Sequence, residues 1–122
     1  MSNITVITPF FNEEETLRFT IDALLRQSLR AERILMVDSG SNDSSAEIIK
    51  GYINSNHMSI ELLQPMLGSP SSSINYGLKN VKTKYVAYVD SLRHVNLLEL
   101  TNTLNFLSVV TVLQKYLSLF LG

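Results

Sequence analysis

Apolar positions along this chain fall into two alternating patterns. Short unbroken runs of β-branched and aliphatic residues read as strands, and apolar residues recurring every three or four positions read as helices. Residues 4–8, ITVIT, are the first run and predict a strand that Pro9, lacking an N–H, should end. Asn12 is then the predicted N-cap of a helix, with Glu13, Glu14 and Glu15 in its first turn, where carboxylates suit the dipole. Leu17, Ile21, Leu24, Leu25 and Leu29 carry the helical period, so the helix is expected over 13–29. Residues 33–37, RILMV, form a run with no polar interruption after Arg33, which suits a strand covered on both faces. A turn through 39–44 leads to a predicted helix over 44–54, with Ile48, Ile49, Tyr52 and Ile53 inward. A weaker strand follows at 59–63, a small-residue loop at 68–73, a short helix over 71–81 and a fourth strand at 84–89.

The order is βαβαβαβ. That alternation implies an α/β domain with a mostly parallel sheet and helices on its faces. Ligands of such sheets bind beyond the carboxyl ends of the strands. Three stretches fall on that rim: Pro9–Glu13, Asp38–Asp43 and Asp90–Leu92. Asp38 ends an apolar run and precedes Ser-Gly-Ser. It is either the first residue of an Asx-turn or a carboxylate held for a ligand. Phe10 and Phe11 are neighbours on an extended segment, so their side chains diverge and one belongs to the core.

Composition narrows the chemistry. With 122 residues one domain is expected. The net charge is -1 and basic residues are scattered, so nothing points to nucleic acid. There is no cysteine, which excludes disulfides and thiolate metal sites and fits a reducing, cytoplasmic setting. The start, MSNITVITPFFNEEE, lacks a basic n-region and does not read as a signal peptide. No apolar run reaches the ~18 residues of a spanning helix. The composition shifts after Asp90: residues 91–122 hold ten leucines and three charged residues, Arg93, Glu99 and Lys115. This tail is expected to form one or two apolar helices, near 95–107 and 108–121. It would serve as core, as a homodimer contact or as a membrane-surface contact peripheral to the bilayer.

Familiar catalytic patterns are missing. The first strand is followed by PFFNEEE, not G-x-G-x-x-G, and no P-loop occurs. The two histidines, His57 and His94, have no zinc spacing. What remains is carboxylates at strand ends, an aromatic-Asn-Glu turn and small-residue loops. A carboxylate can accept from a base imide N–H or from ribose hydroxyls, and a second one can hold a cation beside a diphosphate.

The blocks ITVITPFFNEEE, ERILMVDSGSND, GSPSSSINYGL and KYVAYVD resemble the family 2 glycosyltransferases over about residues 3–90. The resemblance implies a Rossmann-like GT-A half-domain at 1–90, sheet order 3-2-1-4, joined to the tail at 91–122. It implies transfer of a sugar from a nucleotide diphosphate donor to an acceptor that the sequence does not name, in glycan or polysaccharide synthesis. It assigns Pro9, Phe11 and Glu13 to the nucleotide pocket and Asp38 to the base. Asn75 and Gly77 fall beside the diphosphate and donor sugar, and Asp90 on ribose and metal. A divalent cation, Mg²⁺ or Mn²⁺, is the family's cofactor. The family's D-x-D motif here reads Asp90-Ser91-Leu92, and Leu92 has no oxygen for a hard cation. No candidate base for the acceptor hydroxyl is found, and the abrupt change after Asp90 reads as a truncated or frameshifted product. The alternatives are a catalytically inactive nucleotide-binding module and an interaction protein acting through its apolar tail.

Overall fold

The computed structural model describes residues 3–26, 31–57 and 59–89. In chain order the elements are β1 (Ile4–Phe10), α1 (Leu17–Leu25), β2 (Arg33–Asp38), α2 (Ser45–Asn54), β3 (Ile60–Leu63), α3 (Pro70–Leu78) and β4 (Tyr85–Tyr88). The four strands form one sheet in the order β3-β2-β1-β4, and every neighbouring pair is parallel. The expected architecture is therefore observed. Asp90, Leu92 and the expected tail helices lie outside the described residues.

The uninterrupted run in β2 follows from its central place. Ile34, Leu35, Met36 and Val37 are all at most 2% exposed. Alternation sends Ile34 and Met36 to one face, where they pack with Leu17, Ile21 and Leu24 of α1 and Ile49 of α2. Leu35 and Val37 go to the other face with Ile7 and Val86, under Leu78 of α3. Each fully buried aliphatic side chain contributes about 1.5–3 kcal/mol relative to exposure. At the N-terminal end of the sheet, Arg33 donates from Nε and Nη2 to the two oxygens of Glu61 (2.6 and 2.9 Å) and from Nη1 to the Asn80 carbonyl (2.6 Å). One guanidinium thus ties β2 to β3 and to the turn after α3.

Pro9 does not end β1. The strand runs on through Phe10, and Pro9 pairs with Val37. The backbone explains why. The carbonyls of Asn3 and Ile7 accept from Tyr85 and Val89 on the β4 side, and those of Ile4 and Phe10 accept from Glu32 and Ser39 on the β2 side. Odd positions face β4, which ends at Tyr88. The N–H that Pro9 lacks would point past the end of that strand, so the ladder loses nothing.

The start of α1 also differs from expectation. Asn12 is not its N-cap, and no acidic residue lies in its first turn. Asn12 has a left-handed backbone (φ +48°) and the glutamates form a separate turn, in which the Glu13 carbonyl accepts from the N–H groups of Thr16 and Leu17 (3.1 and 2.9 Å). Helix α3 begins one residue earlier than expected. Ser69 caps it by accepting from Ser72 N (3.2 Å), with Pro70 in the first turn.

No helix among the described residues is long and apolar enough to cross a membrane. Also among them, Thr8 Oγ1 and Thr20 Oγ1 are buried without a hydrogen-bond partner.

Candidate functional site

Strands β1 and β2 end side by side. Phe10 is the register partner of Asp38, and Ser39 N donates to the Phe10 carbonyl (2.9 Å). The chain then leaves both strands at one level, and the two loops bind each other. Asn12 N donates to Ser41 Oγ (2.9 Å), and Asn42 N donates back to Asn12 Oδ1 (2.8 Å). Glu13 N donates to Ser45 Oγ (2.9 Å) and Glu14 N to Asp43 Oδ2 (3.2 Å), while Ser44 N donates to Glu14 Oε2 (2.9 Å). The F-N-E-E stretch and the S-G-S-N-D-S-S stretch are thus two halves of one interlocked rim. The left-handed turn at Asn12, which Asn tolerates better than most residues, brings them into contact.

Asp38 has no exposed surface. Its Oδ1 accepts from Gly40 N (3.0 Å) and Ser41 N (2.7 Å), so the Asx-turn foreseen for this position is real. Its Oδ2 faces the Gln64 side chain, whose Nε2 lies 3.4 Å away. The segment after β3 crosses above it: Met66 N donates to the Asp38 carbonyl (3.2 Å) and Gly68 N to the Ser39 carbonyl (2.9 Å). The two aromatic neighbours separate as expected. Phe10 is 2% exposed, and Phe11 is 44% exposed. The Phe11 ring passes over Gly40: Cε1 would lie 3.8 Å from a β-carbon there.

The structure therefore brings Pro9, Phe11, Glu13 and Asp38 to one rim. Glu13 is buried (8% exposed) and Phe11 is open. Asn75 is exposed on α3. That helix is pinned to the rim through Ser73, whose Oγ lies 2.6 Å from Ser39 Oγ in a buried contact. Gly77 has a packing reason of its own. A β-carbon there would meet Ile7 Cγ2 at 2.9 Å, so its absence lets α3 lie close against β1. Sequence reasoning missed Ser39, Ser45, Ser73 and Gln64. A serine in a turn or a helix carries no signal for a partner about thirty residues away. Gln64 had one: it is the first polar side chain after the third strand, on the same rim.

Asn12, Glu13, Glu14, Glu15, Thr16 and Asp43 also line a hollow of about 240 Å³. Four carboxylates and no Lys or Arg make it repellent to a phosphate. Desolvation pushes Asp43 upward, but hydrogen bonds from Ser45 and from the Glu14 backbone outweigh it and hold the carboxyl below its usual range. Among the described residues no three His, Asp or Glu side chains are grouped to hold a metal. Asp38 Oδ1 and both Asp43 oxygens already accept backbone N–H groups. The described residues do not make a cation cage.

The family model described as Glycosyl transferase family 2 matches residues 5–91. The chain belongs to that family. It is 38% identical over 88 residues to the glycosyltransferase GlyA of Streptococcus pneumoniae, a match covering 72% of this chain and 12% of that protein. It is 32% identical over 92 residues to the minor teichoic acid biosynthesis protein GgaA of Bacillus subtilis, covering 71% of this chain and 21% of that one. The chain thus spans only a small part of the curated relatives it matches. Among solved structures it is similar to S. aureus TarS 1-349 in complex with UDP-GlcNAc, with a TM-score of 0.65, 27% identity, and coverage of 75% of this chain and 26% of that one. The mannosyltransferase PcManGT of Pyrobaculum calidifontis, in complex with GDP-Man and Mn²⁺, shares the fold at a TM-score of 0.68 and 20% identity, covering 87% of this chain and 32% of that one. The α/β sheet of this family 2 chain is accordingly of the GT-A type, with β1 and β2 opening onto the rim.

Proposed function

We propose that residues 1–90 bind a nucleotide-diphosphate sugar at the C-terminal rim of the sheet, as the donor site of a glycosyltransferase. Residues 91–122 are then a separate apolar segment. The observation that carries this reading is the state of Asp38. The turn holds Oδ1, which fixes the carboxylate, while Oδ2 meets only a side-chain amide, and the exposed ring of Phe11 passes over Gly40 of the same turn.

A carboxylate oxygen accepts and never donates. It suits the imide N–H of uracil or thymine and the N1–H of guanine. It opposes cytosine and adenine, which present a ring-nitrogen acceptor at the corresponding place. Phe11 supplies the apolar face a base needs, and Pro9 and Glu13 shape the floor beneath it. Asn75 and Asp90 complete the reading toward the diphosphate, the donor sugar and the ribose. The role of the binding residues is to hold the leaving nucleotide in place while an acceptor oxygen displaces it from the anomeric carbon.

Asp90 is one carboxylate where the family has two, because Leu92 offers no oxygen. Mg²⁺ or Mn²⁺ should therefore add little to nucleotide affinity. The substitution also favours a second reading, nucleotide binding without efficient turnover.

Calorimetric titration with UDP, dTDP, GDP, CDP and ADP tests the proposal. Binding is expected for some or all of the first three and not for the last two. Equal binding of CDP and UDP would overturn the assignment of Asp38 to the base.

A further inference from the structure

We infer that Gln64 is a self-ligand of Asp38, occupying the oxygen that a nucleobase must reach, and that nucleotide binding displaces it. This rests on the donor-site reading above and adds to it the step by which the site opens.

Asp38 is completely buried, so no base can meet its carboxylate in this arrangement. Oδ1 cannot be released cheaply. Two backbone N–H groups hold it at 3.0 and 2.7 Å, and the Ser39–Gly40–Ser41 turn depends on them. Oδ2 has a different partner. The Gln64 amide donates to it at 3.4 Å, a long and weak hydrogen bond from a residue that is itself exposed. An exposed side chain can exchange that bond for water at small cost, whereas turn amides cannot. The two oxygens of one carboxylate are thus divided: one builds the turn, and the other is held in reserve behind a removable donor.

The backbone that carries Gln64 is fastened separately. Met66 N and Gly68 N donate to the carbonyls of Asp38 and Ser39, and Met66 and Gly68 have left-handed backbones (φ +54° and +84°). The segment can stay in place while the Gln64 side chain turns out. Displacement is therefore a side-chain rotation and leaves the sheet undisturbed. While the amide sits on Oδ2 it keeps a buried carboxylate satisfied, which stabilises the empty protein. It also lowers apparent affinity, because only the fraction of molecules with Gln64 turned out can accept a base.

The consequence has a sign that separates it from a contact role. If Gln64 held the base directly, removing its side chain would weaken binding. A displaceable self-ligand gives the opposite result. Titration of the whole chain and of its Gln64→Ala variant with UDP, dTDP and GDP decides between them. The variant should bind about two- to tenfold more tightly, the range expected on releasing one side-chain hydrogen bond. Equal or weaker binding by the variant, with the wild type binding, would overturn the self-ligand inference and leave the donor site standing. Failure of both proteins to bind UDP, dTDP and GDP would overturn the donor-site reading and this inference with it.

Discussion

Ser39 and Ser73 meet Oγ to Oγ at 2.6 Å in a buried contact, one directly after β2 and the other in α3. Their bond links the turn that holds Asp38 to the helix that carries Asn75. Replacing either serine alone by alanine leaves the other hydroxyl buried without this partner, which costs about 1–3 kcal/mol. The double replacement should cost less than the sum of the two singles. Urea denaturation of the four proteins in the cycle measures the coupling. Additive losses would mean that the two hydroxyls do not act as a pair.

Gly77→Ala should destabilise the fold by about 1–3 kcal/mol, as overpacking of a tight core does. The added β-carbon meets three Ile7 side-chain atoms at 2.9, 3.3 and 3.4 Å, and Ile7 is itself buried, so a core side chain must shift to admit it. Ile7→Val in the same chain should recover part of the loss. A wild-type denaturation midpoint for Gly77→Ala would contradict this packing.

Thr20→Val and Thr8→Val should raise stability, each by up to about 1 kcal/mol. Each replaces a buried hydroxyl lacking a described partner with a methyl group of nearly the same shape. Thermal melting of the two variants checks this, and a lower melting temperature would reveal a partner for the hydroxyl.

Acid should weaken the protein through Glu61 and Asp43. The Arg33 hydrogen bond, with its charge, lowers Glu61 against the opposing effect of burial. Asp43 is lowered by its Ser45 and Glu14 hydrogen bonds, again against burial. A carboxyl depressed in the folded state contributes stability that is fully present above its ordinary value, near 4.5 for Glu61 and 3.8 for Asp43, and is lost as pH falls through the folded value. Stability measured from about pH 7 downward should therefore hold until about pH 4–5 and then decline. Arg33→Gln should flatten that decline. An unchanged acid slope in the variant would mean that the Arg33–Glu61 pair does not contribute to the acid loss.

How much of this could be read without the structure follows from the range of each interaction. The parallel sheet was predictable because Ile34–Val37 are apolar on both faces and Leu17, Ile21 and Leu24 keep a helical period. Both are local patterns set by burial, while the sheet order 3-2-1-4 came only with the resemblance to the family 2 glycosyltransferases. Pro9 was misread because its effect depends on which neighbour its position faces, and that is set by where β4 ends. Asn12 was misread as a cap because its side chain serves Asn42, a partner thirty positions away. At Asp38 the sequence left a turn and a ligand site open. The structure shows the turn on one oxygen, and the second oxygen is where the proposed ligand role resides.

The donor-site proposal turns on that division of the Asp38 carboxylate, and Asp38→Asn probes it. The carboxamide oxygen can still accept from Gly40 and Ser41, so the turn and the melting temperature should be preserved. The amide group then stands in place of Oδ2 and confronts an imide N–H with another donor. Calorimetry should show UDP affinity reduced about ten- to a hundredfold, the loss of one hydrogen bond to a charged acceptor worth about 1.5–3 kcal/mol. A folded variant that binds UDP as tightly as the wild type would contradict the assignment of Asp38 to the nucleobase.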